Sequence, residues 1–132
     1  MILLTNTVAQ TVAPGASVTF DEVIFHTGNG ECHRRGSGGV SMRCKGIYEA
    51  YFSANIGGTA AGTVTLAIQA GGETLPETVM DSVTAAAGDL ENVATMTALR
   101  NCCTGYERIT VTNTGTVEMT VENPKLYVKR VA

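Results

Sequence analysis

Apolar and polar residues alternate with a period of two along most of the chain, and glycine-rich breaks separate the alternating runs. Such alternation places successive side chains on opposite faces of an extended backbone, so it predicts short strands joined by turns. The strongest run is Ile47–Ile56, in which Tyr48, Ala50, Phe52, Ala54 and Ile56 share one face. The opposite face carries Ile47 and Tyr51 beside Glu49, Ser53 and Asn55, and being only partly apolar it suits contact with a neighbouring subunit. Val64, Leu66, Ile68 and Ala70 form the next apolar face, and Gly71-Gly72 then supplies the positive φ angles of a two-residue hairpin turn. Further strands are predicted at 17–20 and 23–26, with a bulge at Asp21-Glu22 where the apolar parity slips, and at 39–43, 92–100, 106–113, 117–122 and 125–131. Asn123-Pro124 reads as a turn between the last two. Pro76 demotes the segment after it to an edge or a crossing connection, with weak pairing at 79–83. Ala85-Ala86-Ala87 is too short to nucleate a helix and is stopped by Gly88.

These segments amount to about eight strands and no helix, which is the count of a two-sheet all-β sandwich. The predicted core is Tyr48, Phe52, Ile56, Leu66, Ile68, Ile109, Val111, Leu126 and Val128. At 132 residues the chain supports one core. The expected division is an N-terminal arm or first edge strand over residues 1–14 and a single domain over 15–132.

Composition sharpens this picture. Apolar residues make up 44% and charged residues 16%, so Thr, Ser, Asn and Gly must cover much of the surface. Nine Lys and Arg against twelve Asp and Glu give a net charge of −3, which argues against nucleic acid or an anionic membrane as partner. No basic, apolar leader opens the sequence and no run is long enough for a membrane helix, so neither a Sec signal nor membrane insertion is expected.

Candidate chemistry is sparse. Cys32, Cys44, Cys102 and Cys103 are candidates for buried thiols or a disulfide. Adjacent Cys102 and Cys103 point to opposite faces of an extended chain, whereas a bridge from Cys44 to either is sterically open and would leave Cys32 over. Zinc spacing of the C-x2-4-C kind is missing, and no cofactor is expected. Neither His26 nor His33 belongs to a recognisable nucleophile turn, so no catalytic residue is assigned. Asp21, Glu22, Asp81, Asp89 and Glu91 do not form a dense calcium loop and read as surface charges. His33, Arg34 and Arg35, followed by Gly36-Ser37-Gly38, form the best ligand-contact loop, because Arg offers paired donors to carboxylate or phosphate.

The stretch Gly46-Ile47-Tyr48-Glu49-Ala50-Tyr51-Phe52-Ser53 resembles the central strand of the C1q/TNF-like jelly-roll superfamily. Leu66–Glu73 resembles its following hairpin, and Gly105–Asn113 with Asn123–Val128 its closing pair, in the family's order over residues 15–132. The chain is most similar to the bacterial branch, which includes C-terminal domains of collagen-like exosporium glycoproteins and small phage or prophage proteins of Gram-positive gut bacteria. The likeness to the second group rests on Cys32–Gly38, Cys102-Cys103 and the tail Asn123–Ala132. The chain lacks a collagen-like stalk, which disfavours an exosporium filament. The resemblance implies a two-sheet antiparallel jelly roll and a homotrimer with subunits side by side, with Tyr51 and Tyr127 chosen for the subunit interface. It further implies a non-enzymatic virion component, such as a head fibre, decoration or tail-associated protein, made in the cytoplasm and displayed on a particle surface. The expected partners are copies of itself and other virion proteins. The alternative is a surface-displayed binding module for a glycan or protein receptor on the host.

Overall fold

The computed structural model describes residues 1–28, 30–33, 36–101 and 107–132. Among them are twelve strands and one short 3₁₀ turn, Pro76–Thr78. The strands are β1 (Ile2–Thr5), β2 (Gln10–Val12), β3 (Glu22–His26), β4 (Glu31–Cys32), β5 (Val40–Met42) and β6 (Gly46–Gly58), then β7 (Gly62–Ala70), β8 (Glu73–Thr74), β9 (Met80–Thr84), β10 (Glu91–Asn101), β11 (Glu107–Asn113) and β12 (Met119–Arg130). All pairing is antiparallel. The first sheet runs β10-β6-β12-β1-β3, with β2 also on β12; the second runs β4-β5-β11-β7-β8, with β9 also on β7. The expected all-β sandwich is therefore present, and the surplus over eight strands comes from the short elements β1, β2, β4 and β8 that flank the longer ones.

Period-two burial builds the interior. Every second residue of β6 from Tyr48 to Ile56 is at most 2% exposed, and all nine residues expected in the core are buried. Val64, Leu66 and Ile68 of β7 and Ile109 and Val111 of β11 join the same cluster from the second sheet. Each fully buried large side chain contributes about 1.5–3 kcal/mol of transfer free energy. Tyr48 closes one end of this core: its hydroxyl donates to the carbonyls of Gly30 (3.0 Å) and Cys44 (2.9 Å), so a phenol sits 0% exposed without an orphaned oxygen.

Three expectations are corrected. The parity slip at Asp21-Glu22 is a change of sheet rather than a bulge. Before it, Ser17 bridges Thr112 and the Val18 N–H donates to the Val111 carbonyl in the second sheet, whereas β3 after it pairs with β1 in the first. The bulge lies further on, where Val23 opposes Leu4 and Phe25 opposes Leu3, leaving Ile24 as the extra residue. Second, Asn123-Pro124 is no turn. It is a bulge inside one continuous strand, with Glu122 opposite Asn55 and Lys125 opposite Ser53. Asn123 takes the left-handed conformation (φ 51°) that the bulge requires, and the Pro124 carbonyl accepts from Thr5 Oγ1 at 2.9 Å. Third, residues 1–14 form neither a free arm nor only an edge. β1 lies between β12 and β3, with Ile2 and Leu4 in the core, while β2 pairs with β12 alone.

The Gly71-Gly72 hairpin is as expected, with φ of 59° and 87° and Ala70 paired to Glu73.

Candidate functional site

The buried face of the first sheet dictates what its other face carries. Because Tyr48 to Ile56 point inward at every second position, Ile47, Glu49, Tyr51, Ser53 and Asn55 point outward. The registers then align one apolar row across all five main strands. Met96 of β10 opposes Tyr51 of β6, Tyr51 opposes Tyr127 of β12, Tyr127 opposes Leu3 of β1, and Leu3 opposes Phe25 of β3. Met96 is 55% exposed, Phe25 39% and Tyr51 38%. Leu3 and Tyr127 between them are half-buried.

The row is a connected belt. Tyr51 and Tyr127 meet edge to face with ring centroids 5.7 Å apart, and Phe25 meets Tyr127 in the same manner at 6.5 Å. Polar rows border it. On one side Glu49 stands between Ala98 and Lys129; on the other Ser53 stands between Ala94 and Lys125. The Tyr51 hydroxyl donates to Glu49 Oε2 at 3.1 Å, and this bond to a carboxylate holds the phenol above its ordinary pKa. A shallow hollow of about 220 Å³ opens where Tyr51, Ala94, Lys125 and Tyr127 meet. An apolar centre rimmed by polar groups is the surface chemistry of a protein–protein contact.

Of the residues chosen from sequence, the fold brings Tyr51 and Tyr127 together at the centre of this belt. Sequence reasoning missed Leu3, Phe25 and Met96. Leu3 and Phe25 sit in unbroken apolar runs, where alternation cannot assign a face, and Met96 lies among threonines and alanines.

His33 is turned into the fold. Its Nδ1 lies 2.6 Å from the Gly39 carbonyl oxygen and its Nε2 3.2 Å from that of Phe20, while its ring meets Phe20 edge-on at 6.3 Å. Its contacts are thus structural. Arg34 and Arg35 lie outside the described residues, as do Cys102 and Cys103. Cys32 is a half-buried thiol, and Cys44 is half-buried with its carbonyl accepting from Asn101 Nδ2 at 3.0 Å as well as from Tyr48. The acidic residues are scattered: Asp81 accepts from Thr65 Oγ1 at 2.7 Å and Glu91 from Ser82 Oγ at 2.7 Å. No group of three or more His, Cys, Asp or Glu converges among the described residues.

Among solved structures, the chain is similar to Eiger TNF from S. frugiperda, with a TM-score of 0.73 and 15% identity over 99% of this chain and 92% of that one. The fold is the C1q/TNF-like jelly roll. The globular domain of zebrafish complement 1qA protein shares it with a TM-score of 0.65 and 12% identity, over 96% of this chain and 94% of that one. The PRD1 vertex protein shares it with a TM-score of 0.57 and 11% identity, over 99% of this chain and 96% of that one. No family model and no curated protein matches the sequence. In this jelly roll the apolar belt lies on the sheet that contains both the first and the last strand of the chain, β1 and β12.

Proposed function

We propose that this chain is a non-enzymatic assembly protein whose copies pack side by side through the outer face of the first sheet into a homotrimer. The observation that carries the reading is the five-strand row Met96–Tyr51–Tyr127–Leu3–Phe25, an apolar belt left open to solvent on a single subunit. A chain with no other use for that surface exposes it at a cost in solubility, and association of copies removes the cost. The threefold order follows from the resemblance to the C1q/TNF-like superfamily.

We further assign the protein to the bacterial branch, as a phage or prophage virion component displayed on the particle: a head fibre, a decoration or a tail-associated protein. A vertex protein among the similar folds supports a place on a particle. Light scattering on the purified chain tests the assembly: a mass of about 41 kDa, three copies of 13.8 kDa, is expected. A mass of one subunit at every concentration refutes it.

A further inference from the structure

At the end of the sandwich where β6 begins and β10 and β12 finish lies an open basin of about 530 Å³. Three cations from three segments converge on it: Lys45 from the turn before β6, Arg100 from β10 and Arg130 from β12. These are three of the nine basic residues in a chain of net charge −3, so their gathering runs against the overall charge. None of the three pairs with a carboxylate among the described residues, where the one ion pair joins the Met1 ammonium to Glu31. At most one carboxylate, that of Ala132, borders the basin against three cations, so a positive surplus remains, and an incoming anion relieves its repulsion.

The basin is built from well-anchored backbone. Asn101, only 2% exposed, fixes the end of β10 beside Arg100 by donating through Nδ2 to the carbonyls of Met42 (3.2 Å) and Cys44 (3.0 Å). Opposite, the Ile47 N–H donates to the Ala132 carbonyl at 3.2 Å and ties the end of β12 to the start of β6. Gly46 takes φ 150° between them, and a Cβ there would collide with the Ala132 carbonyl oxygen and Arg130 Nε. Glycine thus keeps the Arg130 head in place at the basin floor, while Ile47 supplies an apolar wall.

We propose that this basin binds an organic oxyanion, a carboxylate or phosphate group on a carbon skeleton. Two guanidinium forks and an ammonium suit oxygen atoms of an anion, and Ile47 suits the carbon beside it. The site does not rest on the assembly reading, because every group in it comes from one chain. Arg100 also lies four residues along β10 from Met96, about 13 Å at ~3.3 Å per residue.

The test is titration of the full chain, followed by two-dimensional amide NMR, with glucuronate, glycerol phosphate and, as a neutral control, glucose. Saturable shifts confined to Gly46, Ile47 and Asn101 are expected with one or both anions and none with glucose. Saturation by glucuronate alone assigns a carboxylate, and by glycerol phosphate alone a phosphate ester. R100Q and K45Q, both at exposed positions, are each expected to weaken binding about tenfold, and R108Q on β11 to leave it unchanged. R130Q should weaken it equally, but its stem packs against Gly30, so R100Q and K45Q carry the test if that variant misfolds. Non-saturating shifts spread over all cations, or unchanged affinity in R100Q and K45Q, overturn the proposal.

Discussion

Replacing Met96 by glutamate separates assembly from folding. Met96 is 55% exposed in the single subunit, so a charged side chain there stays in water and costs the monomer only the β-propensity difference, within about 1 kcal/mol. In an assembled form the same position is covered. Somewhat over half of a ~180 Å² side chain is ~100 Å², and withdrawing that from water contributes about 2.5 kcal/mol per subunit. The variant loses this and sets a carboxylate beside Tyr51, whose hydroxyl is already held by Glu49. With the desolvation of that new charge, a loss of about 3 kcal/mol per subunit is a conservative figure. Three equivalent sites multiply it to ~9 kcal/mol, or about six decades in the trimer dissociation constant. That constant carries the square of concentration, so the midpoint of assembly moves about a thousandfold. Sedimentation equilibrium over a dilution series measures the midpoint, and circular dichroism checks that M96E keeps its strands. An unchanged midpoint in a folded M96E protein refutes the belt as the contact.

Other consequences concern the fold that presents the belt. Tyr48→Phe removes the hydroxyl donor to the Gly30 and Cys44 carbonyls, which keep the Arg43 N–H and Asn101 Nδ2 as donors, and is expected to lower stability by about 0.5–1.5 kcal/mol in chemical denaturation. Burial raises the Tyr48 pKa above 10, so the folded chain holds that proton more tightly than the unfolded one. The associated stability is complete below pH 10 and is lost as pH rises beyond it, by at most ~1.4 kcal/mol per pH unit. Denaturation curves between pH 9 and 12 should therefore be flatter for Y48F than for the parent, and equal slopes contradict the assignment. Gly39→Ala forces a Cβ into the Ile109 carbonyl oxygen at a φ of 157° and should prevent soluble expression; Gly72→Ala meets open space and should cost only about 1 kcal/mol in melting experiments. At the β12 bulge, Asn123→Gly is expected to be nearly neutral and Asn123→Val to destabilise by ~1–2 kcal/mol, and equal melting temperatures for the two would contradict the left-handed geometry.

Period-two burial was legible wherever one face is wet, because there alternation reports the fold directly. All five inward residues of β6 and the three of β7 were readable in this way. The signal failed where the chain changes sheets or stays in register through an irregularity. A switch of parity at Asp21 has the same sequence appearance whether one strand bulges or the backbone crosses from one sheet to the other. Pro124 reads as a strand breaker, yet at a bulge the ladder asks for no N–H from it, so β12 continues past it. β1 was invisible for the opposite reason: Ile2-Leu3-Leu4 is apolar at every position, which hides that Ile2 and Leu4 face the core while Leu3 faces out.

The same distinction explains what was readable of the candidate site. Faces follow from alternation within a strand, whereas a belt follows from register between strands, and register is set by partners that can lie more than a hundred residues apart, as Leu3 and Tyr127 do. Tyr51 and Tyr127 could be chosen one strand at a time, as large side chains on a face that the core does not use. Their meeting at 5.7 Å, and the addition of Met96, Leu3 and Phe25 at the same level, depend on four separate pairings. One of these includes the bulge that absorbs Ile24; pairing Ile24 with Leu3 as a regular ladder residue would slip the rest of β3 by one residue. Such a slip sets Phe25 opposite Ile2 on the inner face and puts Ile24 opposite Leu3 in its place. The bulge thus decides which residue of β3 ends the apolar row at the edge of the sheet. Deleting Ile24 takes out the extra residue and leaves Val23 opposite Leu4 and Phe25 opposite Leu3, so the belt should stay complete and the assembly midpoint should hold; a weakened assembly in the folded deletion variant would contradict this register.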